Sequence, residues 1–247
     1  MTGLTVLQIL IVLAAALCCG FAKTGIATLG IFNAMLMSQV FPAKEAVGTL
    51  LPMLIAADVA AVLLYRRHVV WRHLIALIPW ALLGIGCGYA LLFYANDTAI
   101  RRVLGIMLLV LIAFQLLKDR AGAAFERYVP QNKGFTTSMG VLAGFATMVG
   151  NVSGVVMSIY LFGKKLPKEV IVGTGAWFYL AVNLIKVPFF VQLGMITTRS
   201  LAINAWTVPV IALGTLAGAR AIPRLPQAVF QNAILLIGAV GALLLVL

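Results

Sequence analysis

Gly20-Phe21-Ala22-Lys23-Thr24-Gly25 stands at the end of the first apolar run of the chain. Gly144-Phe145-Ala146 opens the same pattern again and leads into Gly150-Asn151-Val152-Ser153-Gly154. In both places glycines and polar side chains interrupt a stretch otherwise apolar enough for a membrane. Outward from these two breaks the correspondence continues in order. Gly30 matches Gly154, Pro42 with Glu45 matches Pro167 with Glu169, and Gly48-Thr49 matches Gly173-Thr174. Asp58 matches Asn183, and Pro79, Gly84 and Gly88 match Pro209, Gly214 and Gly218 at one constant offset. The chain is therefore an internal repeat.

Composition sets the solvent in which that repeat folds. The 247 residues are 63% hydrophobic and 10% charged, with a mean hydropathy of +1.11. So few charges could not cover a water-soluble globule of this length. That excludes an ordinary soluble enzyme, a nucleic-acid-binding domain and a disordered protein, and leaves an all-α polytopic membrane protein. The net charge of +12 reads as membrane topology, because the basic residues sit at the ends of apolar segments and do not form one phosphate-binding patch. Cys18, Cys19 and Cys87 lie in apolar stretches, with neither a disulfide framework nor metal spacing. No basic residue precedes Lys23, so the N-terminal run reads as the first membrane segment and not as a cleaved signal.

Apolar runs and their punctuation predict segments at 4–22 and 26–41, then helices at 46–65, 74–94 and about 99–117. Residues 118–134 are the one long polar stretch and read as a cytoplasmic linker between a first repeat, 1–117, and a second, 135–247. The second repeat has segments at 135–149 and 155–163 and helices at about 170–191, 200–220 and 227–246. Each half is one interrupted helix or re-entrant hairpin plus three transmembrane helices, which need roughly 20 residues each.

Charge decides between parallel and inverted repeats. If each interrupted segment returns to the side it came from, the basic residues of 66–72, 118–133, 164–168 and 220–224 share one side, leaving Lys44, Arg101, Arg102 and Arg199 on the other. If each crosses, the two sides carry equal numbers. The positive-inside rule favours the inverted arrangement, with both termini outside. Length agrees, since 135–163 is too short for two full crossings at about 1.5 Å rise per residue.

Inverted repeats with interrupted helices are the pattern of secondary transporters, which hold substrate near the midplane against half-helix N-termini. The breaks offer Lys23, Thr24, Gly25 and Thr28 in the first half and Gly150, Asn151, Ser153 and Gly154 in the second as substrate-binding candidates. The alternative is a pair of glycine kinks that ease helix packing. Lys23, Asp58 and Lys186 are ionisable residues inside apolar spans, each costing about 2.5–3.5 kcal/mol at a bilayer centre. Asn183 lies one turn before Lys186, on the same face. Two lysines against one aspartate leave a positive charge, which suits a small anionic substrate. The competing reading pairs Asp58 with one lysine and lets the other snorkel outward. Asp58 is also the candidate for proton coupling. Thr49, Thr174 and Trp177 stand early in the helices after the interrupted segments and complete the candidate pocket. His68 and His73, beside Trp71 in the basic loop, suit headgroups better than a metal. Walker A, Rossmann and HExxH patterns are absent from the sequence, so no ATP-driven step, cofactor or metal is expected.

Four features give the sequence a resemblance to the TauE/SafE sulfite exporter family. They are the Gly-Phe segments before a glycine-containing break, Gly20-Phe21 and Gly144-Phe145; Pro42 followed by Glu45-Ala46-Val47-Gly48-Thr49; Arg67-His68-Val69-Val70-Trp71; and Gly84-x-x-x-Gly88. The family often has a glycine-richer first break, where this chain has Lys23-Thr24-Gly25-Ile26-Ala27-Thr28. The resemblance implies a multi-pass inner-membrane transporter, an exporter of sulfite, organosulfonates or related organic anions.

The expectation is thus a secondary transporter working by alternating access, with membrane lipid and a small anion as partners. A small-solute or anion channel of the same architecture is the alternative. A membrane enzyme would need clustered His, Cys or carboxylates, and the chain has two His and six acids. Gly84/Gly88 and Gly214/Gly218 could join helices within one chain or between two copies in a homodimer.

Overall fold

The structure is a computed structural model that describes residues 4–23, 28–130, 132–164, 166–221 and 227–246. Among these the chain is wholly helical: α1 Val6–Ala22, α2 Leu29–Val40, α3 Ala43–Tyr65, α4 Trp71–Tyr94, α5 Asp97–Tyr128, α6 Lys133–Gly150, α7 Gly154–Gly163, α8 Lys168–Gln192, α9 Thr198–Ala221 and α10 Gln227–Val246. Five of the described helices, α3, α4, α5 as far as Gly122, α8 and α9, are long and apolar enough to cross a membrane. Leu7, Ile75, Leu83, Leu213 and Leu236 are exposed on the outer faces, where only lipid would tolerate so much apolar surface.

Local chemistry places the helix ends. Thr5 and Gln8 form a reciprocal capping box at the start of α1. Asn132 caps α6, its Oδ1 accepting from Phe135 N at 2.8 Å. Pro42 and Pro167 stand immediately before α3 and α8, with Glu45 and Glu169 in the first turns, where a carboxylate complements the helix dipole. α5 continues to Tyr128, well beyond the 117 expected. Lys118 and Arg120, both good helix formers, extend the helix past the apolar span as far as Gly122, where the backbone leaves the helical region before a second helical piece runs to Tyr128. Much of the expected 118–134 linker is therefore helical, bent at Gly122 (φ 49°).

Helix pairs build the interior. α4 packs on α6, α1 on α9, α3 on α8 and α5 on α10. Exchanging α1–α5 for α6–α10 in order leaves these pairings unchanged. The first two contacts are made through glycine. A Cβ on Gly84 would lie 2.0 Å from Val141 O, and one on Gly144 2.0 Å from Ala81 O. On α1 and α9 the same holds for Gly20 against Ile211 O, 2.2 Å, and Gly214 against Leu17 O, 2.3 Å. Gly84 and Gly88 are thus engaged inside the chain, against α6.

α3 and α8 run antiparallel through the centre. Gly48, near the start of α3, meets Met195 just beyond α8, and Gly173, near the start of α8, meets His68 just beyond α3. α7 turns back along α6: Gly163 packs on Val129, and the Tyr160 ring stacks on Phe135 with centroids 6.2 Å apart. The end of α7 thereby lies beside the start of α6.

Candidate functional site

The middle of α3 meets the middle of α8 at Asp58. Asn183 Nδ2 donates to Asp58 Oδ2 at 2.7 Å, and Lys23 Nζ pairs with Asp58 Oδ1 at 2.7 Å. Asp58 is completely buried and the Lys23 side chain nearly so. Lys23 follows the last residue of α1, so the first break delivers its ammonium to the central helix pair. The same ammonium sits 4.5 Å from the centroid of the Tyr179 ring, a cation–π contact in a desolvated place.

Lys186 lies one turn beyond Asn183 and is also fully buried. Its Nζ donates to Thr147 O at 2.7 Å, to Thr147 Oγ1 at 2.9 Å and to Asn151 Oδ1 at 2.6 Å. Three acceptors match the three donors of an ammonium. No carboxylate lies within ion-pair distance of it among the described residues. It does not snorkel outward: the second break holds it inside. Asn151 ends α6 in the left-handed conformation (φ 57°), which asparagine tolerates better than most residues. Its side chain also donates through Nδ2 to Val47 O of α3 at 2.9 Å. One asparagine therefore joins the break to both central helices.

The remaining sequence candidates fall into three groups. Thr24 and Gly25 lie outside the described residues. Thr28, Ser153 and Gly154 stand at the starts of α2 and α7. Thr28 is buried, and its Oγ1 has no partner among the described residues. Gly150 ends α6 against Leu104 and Met107 of α5. Thr49, Thr174 and Trp177 make no hydrogen bond to either lysine among the described residues. Thr174 Oγ1 accepts from Val70 N at 3.1 Å and so holds the loop before α4. Its repeat mate Thr49 is equally buried, but its hydroxyl has no partner among the described residues. Trp177 packs against Trp71, centroids 5.2 Å apart, with its indole N–H buried and without a partner among the described residues.

Thr147 and Tyr179 are absent from the sequence reading. Both had a signal. Tyr179, Asn183 and Lys186 recur at the i, i+4, i+7 spacing of one helix face, and Thr147 aligns with Lys23 when Gly20-Phe21-Ala22 is laid on Gly144-Phe145-Ala146. The two halves therefore use one geometry with opposite polarity. In the first, a lysine at the break reaches a carboxylate on the central helix. In the second, oxygens at the break receive a lysine from it.

Two lysines and one aspartate thus lie buried beside the two helix breaks. Among the described residues no three His, Cys, Asp or Glu side chains gather as a metal site would require. The family model described as sulfite exporter TauE/SafE matches residues 9–245, nearly the whole chain. The chain belongs to the TauE/SafE sulfite exporter family. It is accordingly a multi-pass membrane protein of a transporter family and not an enzyme. No curated protein and no solved structure matches the chain. The TauE/SafE match spans both breaks and both central helices, so the buried charges stand within the shared fold.

Proposed function

We propose that this TauE/SafE protein exports a small sulfur-containing or related organic anion, such as sulfite or an organosulfonate, by alternating access. The anion binds between the two breaks, beside Lys186, within two inverted repeats formed by residues 1–117 and 135–247. The observation that carries this reading is Lys186 itself, buried and surrounded by uncharged oxygens, while the other lysine is neutralised by Asp58. A buried cation without a carboxylate is costly, and an anionic ligand removes that cost.

The inversion rests on three supports. α3 and α8 correspond by sequence and run antiparallel, α7 returns beside the start of α6, and the basic loops then share the cytoplasmic side. Asp58 is the proton-coupling residue: protonating it releases Lys23 and uncouples the first break from α3.

The test is thermal stabilisation of the purified protein by sulfite, sulfoacetate, taurine, acetate and sulfate, since a ligand that binds only the folded state raises the melting temperature. Sulfite or a sulfonate should raise it in the parent protein and not in Lys186→Met. Equal stabilisation of Lys186→Met would overturn the assignment of the anion to Lys186.

A further inference from the structure

We infer that Asn151 is an internal stand-in for the substrate, occupying Lys186 until an anion displaces it, and that this displacement is what frees the second break to move. The inference rests on the reading that the anion binds at Lys186. All three N–H donors of Lys186 are taken by protein oxygens, within 2.9 Å. An anion can reach the ammonium only by replacing one of them. Thr147 O is backbone near the end of α6 and cannot leave without unwinding the helix, since Asn151 N–H also closes onto it at 3.1 Å. Thr147 Oγ1 is tethered by the same residue. Asn151 Oδ1 is the shortest of the three contacts and belongs to a side chain that can rotate.

Rotation of that side chain has a second effect. The same amide donates to Val47 O at 2.9 Å. Val47 adjoins Gly48, where α3 touches the backbone beyond α8. Displacing Asn151 from Lys186 turns the planar amide and breaks its bond to α3 as well. One exchange of acceptors on one ammonium thus removes the bond of Asn151 to each central helix, while Thr147 keeps the end of α6 on Lys186. Asn151 is a positioning residue here. It sets how tightly the empty site is latched and how much of the binding energy goes into opening it. A bound anion offers a charge-assisted bond where the amide offered a neutral acceptor, which gives the exchange its direction. The latch also lowers the apparent affinity, because the binding-competent state is only a fraction of the population.

The experiment measures sulfite binding by thermal shift in three full-length variants. Asn151→Gly keeps the left-handed backbone available and removes the latch. It should bind sulfite about tenfold more tightly than the parent, one hydrogen bond to a charged group no longer being displaced, while melting at a lower temperature without ligand. A residue with a purely structural role would lower both together. Asn151→Asp places a fixed anion on Lys186 and should lose sulfite binding while remaining folded. Lys186→Met should lose it as well. Unchanged binding in Lys186→Met would overturn the site itself. Lost binding in Lys186→Met, together with unchanged or weaker binding in Asn151→Gly or retained binding in Asn151→Asp, would leave the site standing and overturn the displacement.

Discussion

Lys23 Nζ lies 2.7 Å from Asp58 Oδ1 and joins the end of α1 to the middle of α3 in the buried interior. Removing one member of such a pair leaves the other charge buried and alone. Lys23→Met and Asp58→Asn should each destabilise the protein, by about 3–5 kcal/mol. The double variant should recover much of that loss, because no unpaired charge remains. Melting of the four proteins in detergent measures the coupling, and strict additivity would mean that the two groups do not interact.

Asp58 is also the candidate proton carrier, and its substitution separates structure from coupling. Anion flux in proteoliposomes should follow an imposed pH gradient in the parent. In Asp58→Asn the residual flux should be independent of that gradient. A variant whose flux still tracks pH would remove Asp58 from the coupling step.

Thr174 and Thr49 are repeat mates in different circumstances. Thr174 Oγ1 accepts the Val70 N–H, so Thr174→Val leaves that donor unpaired and should cost about 1–3 kcal/mol. The buried Thr49 hydroxyl has no partner among the described residues. Thr49→Val should therefore be neutral or stabilising. The comparison needs only two melting curves, and equal losses would contradict it.

Gly84 and Gly86 lie two residues apart on α4 and face opposite surroundings. A Cβ on Gly84 would fall 2.0 Å from Val141 O, whereas one on Gly86 would meet nothing within 4 Å. Gly84→Ala must push α4 away from α6 and should lose at least about 1–3 kcal/mol. Gly86→Ala should gain about 0.5–1 kcal/mol from helix propensity.

The inverted arrangement makes a direct topological prediction. In a background lacking Cys18, Cys19 and Cys87, single cysteines at Arg72 and Arg120 should label from the cytoplasmic side. Cysteines at Arg101 and Arg199 should label only from outside. Labelling of Arg72 and Arg199 positions from one side would sink the topology.

Much of the architecture was legible without coordinates. The two breaks appear where Lys23 and Gly150-Asn151 interrupt apolar runs, and the helices after them fall near the expected 46–65, 74–94 and 170–191. The expected end at 117 missed, because hydropathy marks where an apolar span stops, whereas helical backbone continues through Lys118 and Arg120 to the kink at Gly122 and resumes beyond it to Tyr128. At the site, Lys23, Asp58, Asn183 and Lys186 could be named because each is a polar group in an apolar span. Thr147 is marked in the sequence only by its alignment with Lys23, since a threonine in such a span attracts little notice until its oxygens face a lysine.

Sequence by itself determined the membrane class, the order of helices, the internal repeat and the identity of the buried charges. These are local or periodic properties, readable from the transfer cost of each segment and from self-similarity. Only the tertiary structure decided who pairs with whom. Asp58 meets Asn183 across 125 residues of chain, and Lys186 finds Asn151 and not a carboxylate 35 residues back. Those choices depend on the antiparallel crossing of α3 and α8 and on the left-handed turn at Asn151. The crossing is set by the close approach of Gly48 and Gly173 to backbone from the opposite helix's end. A contact of that kind exists only when two distant segments are packed, so no single segment encodes it alone.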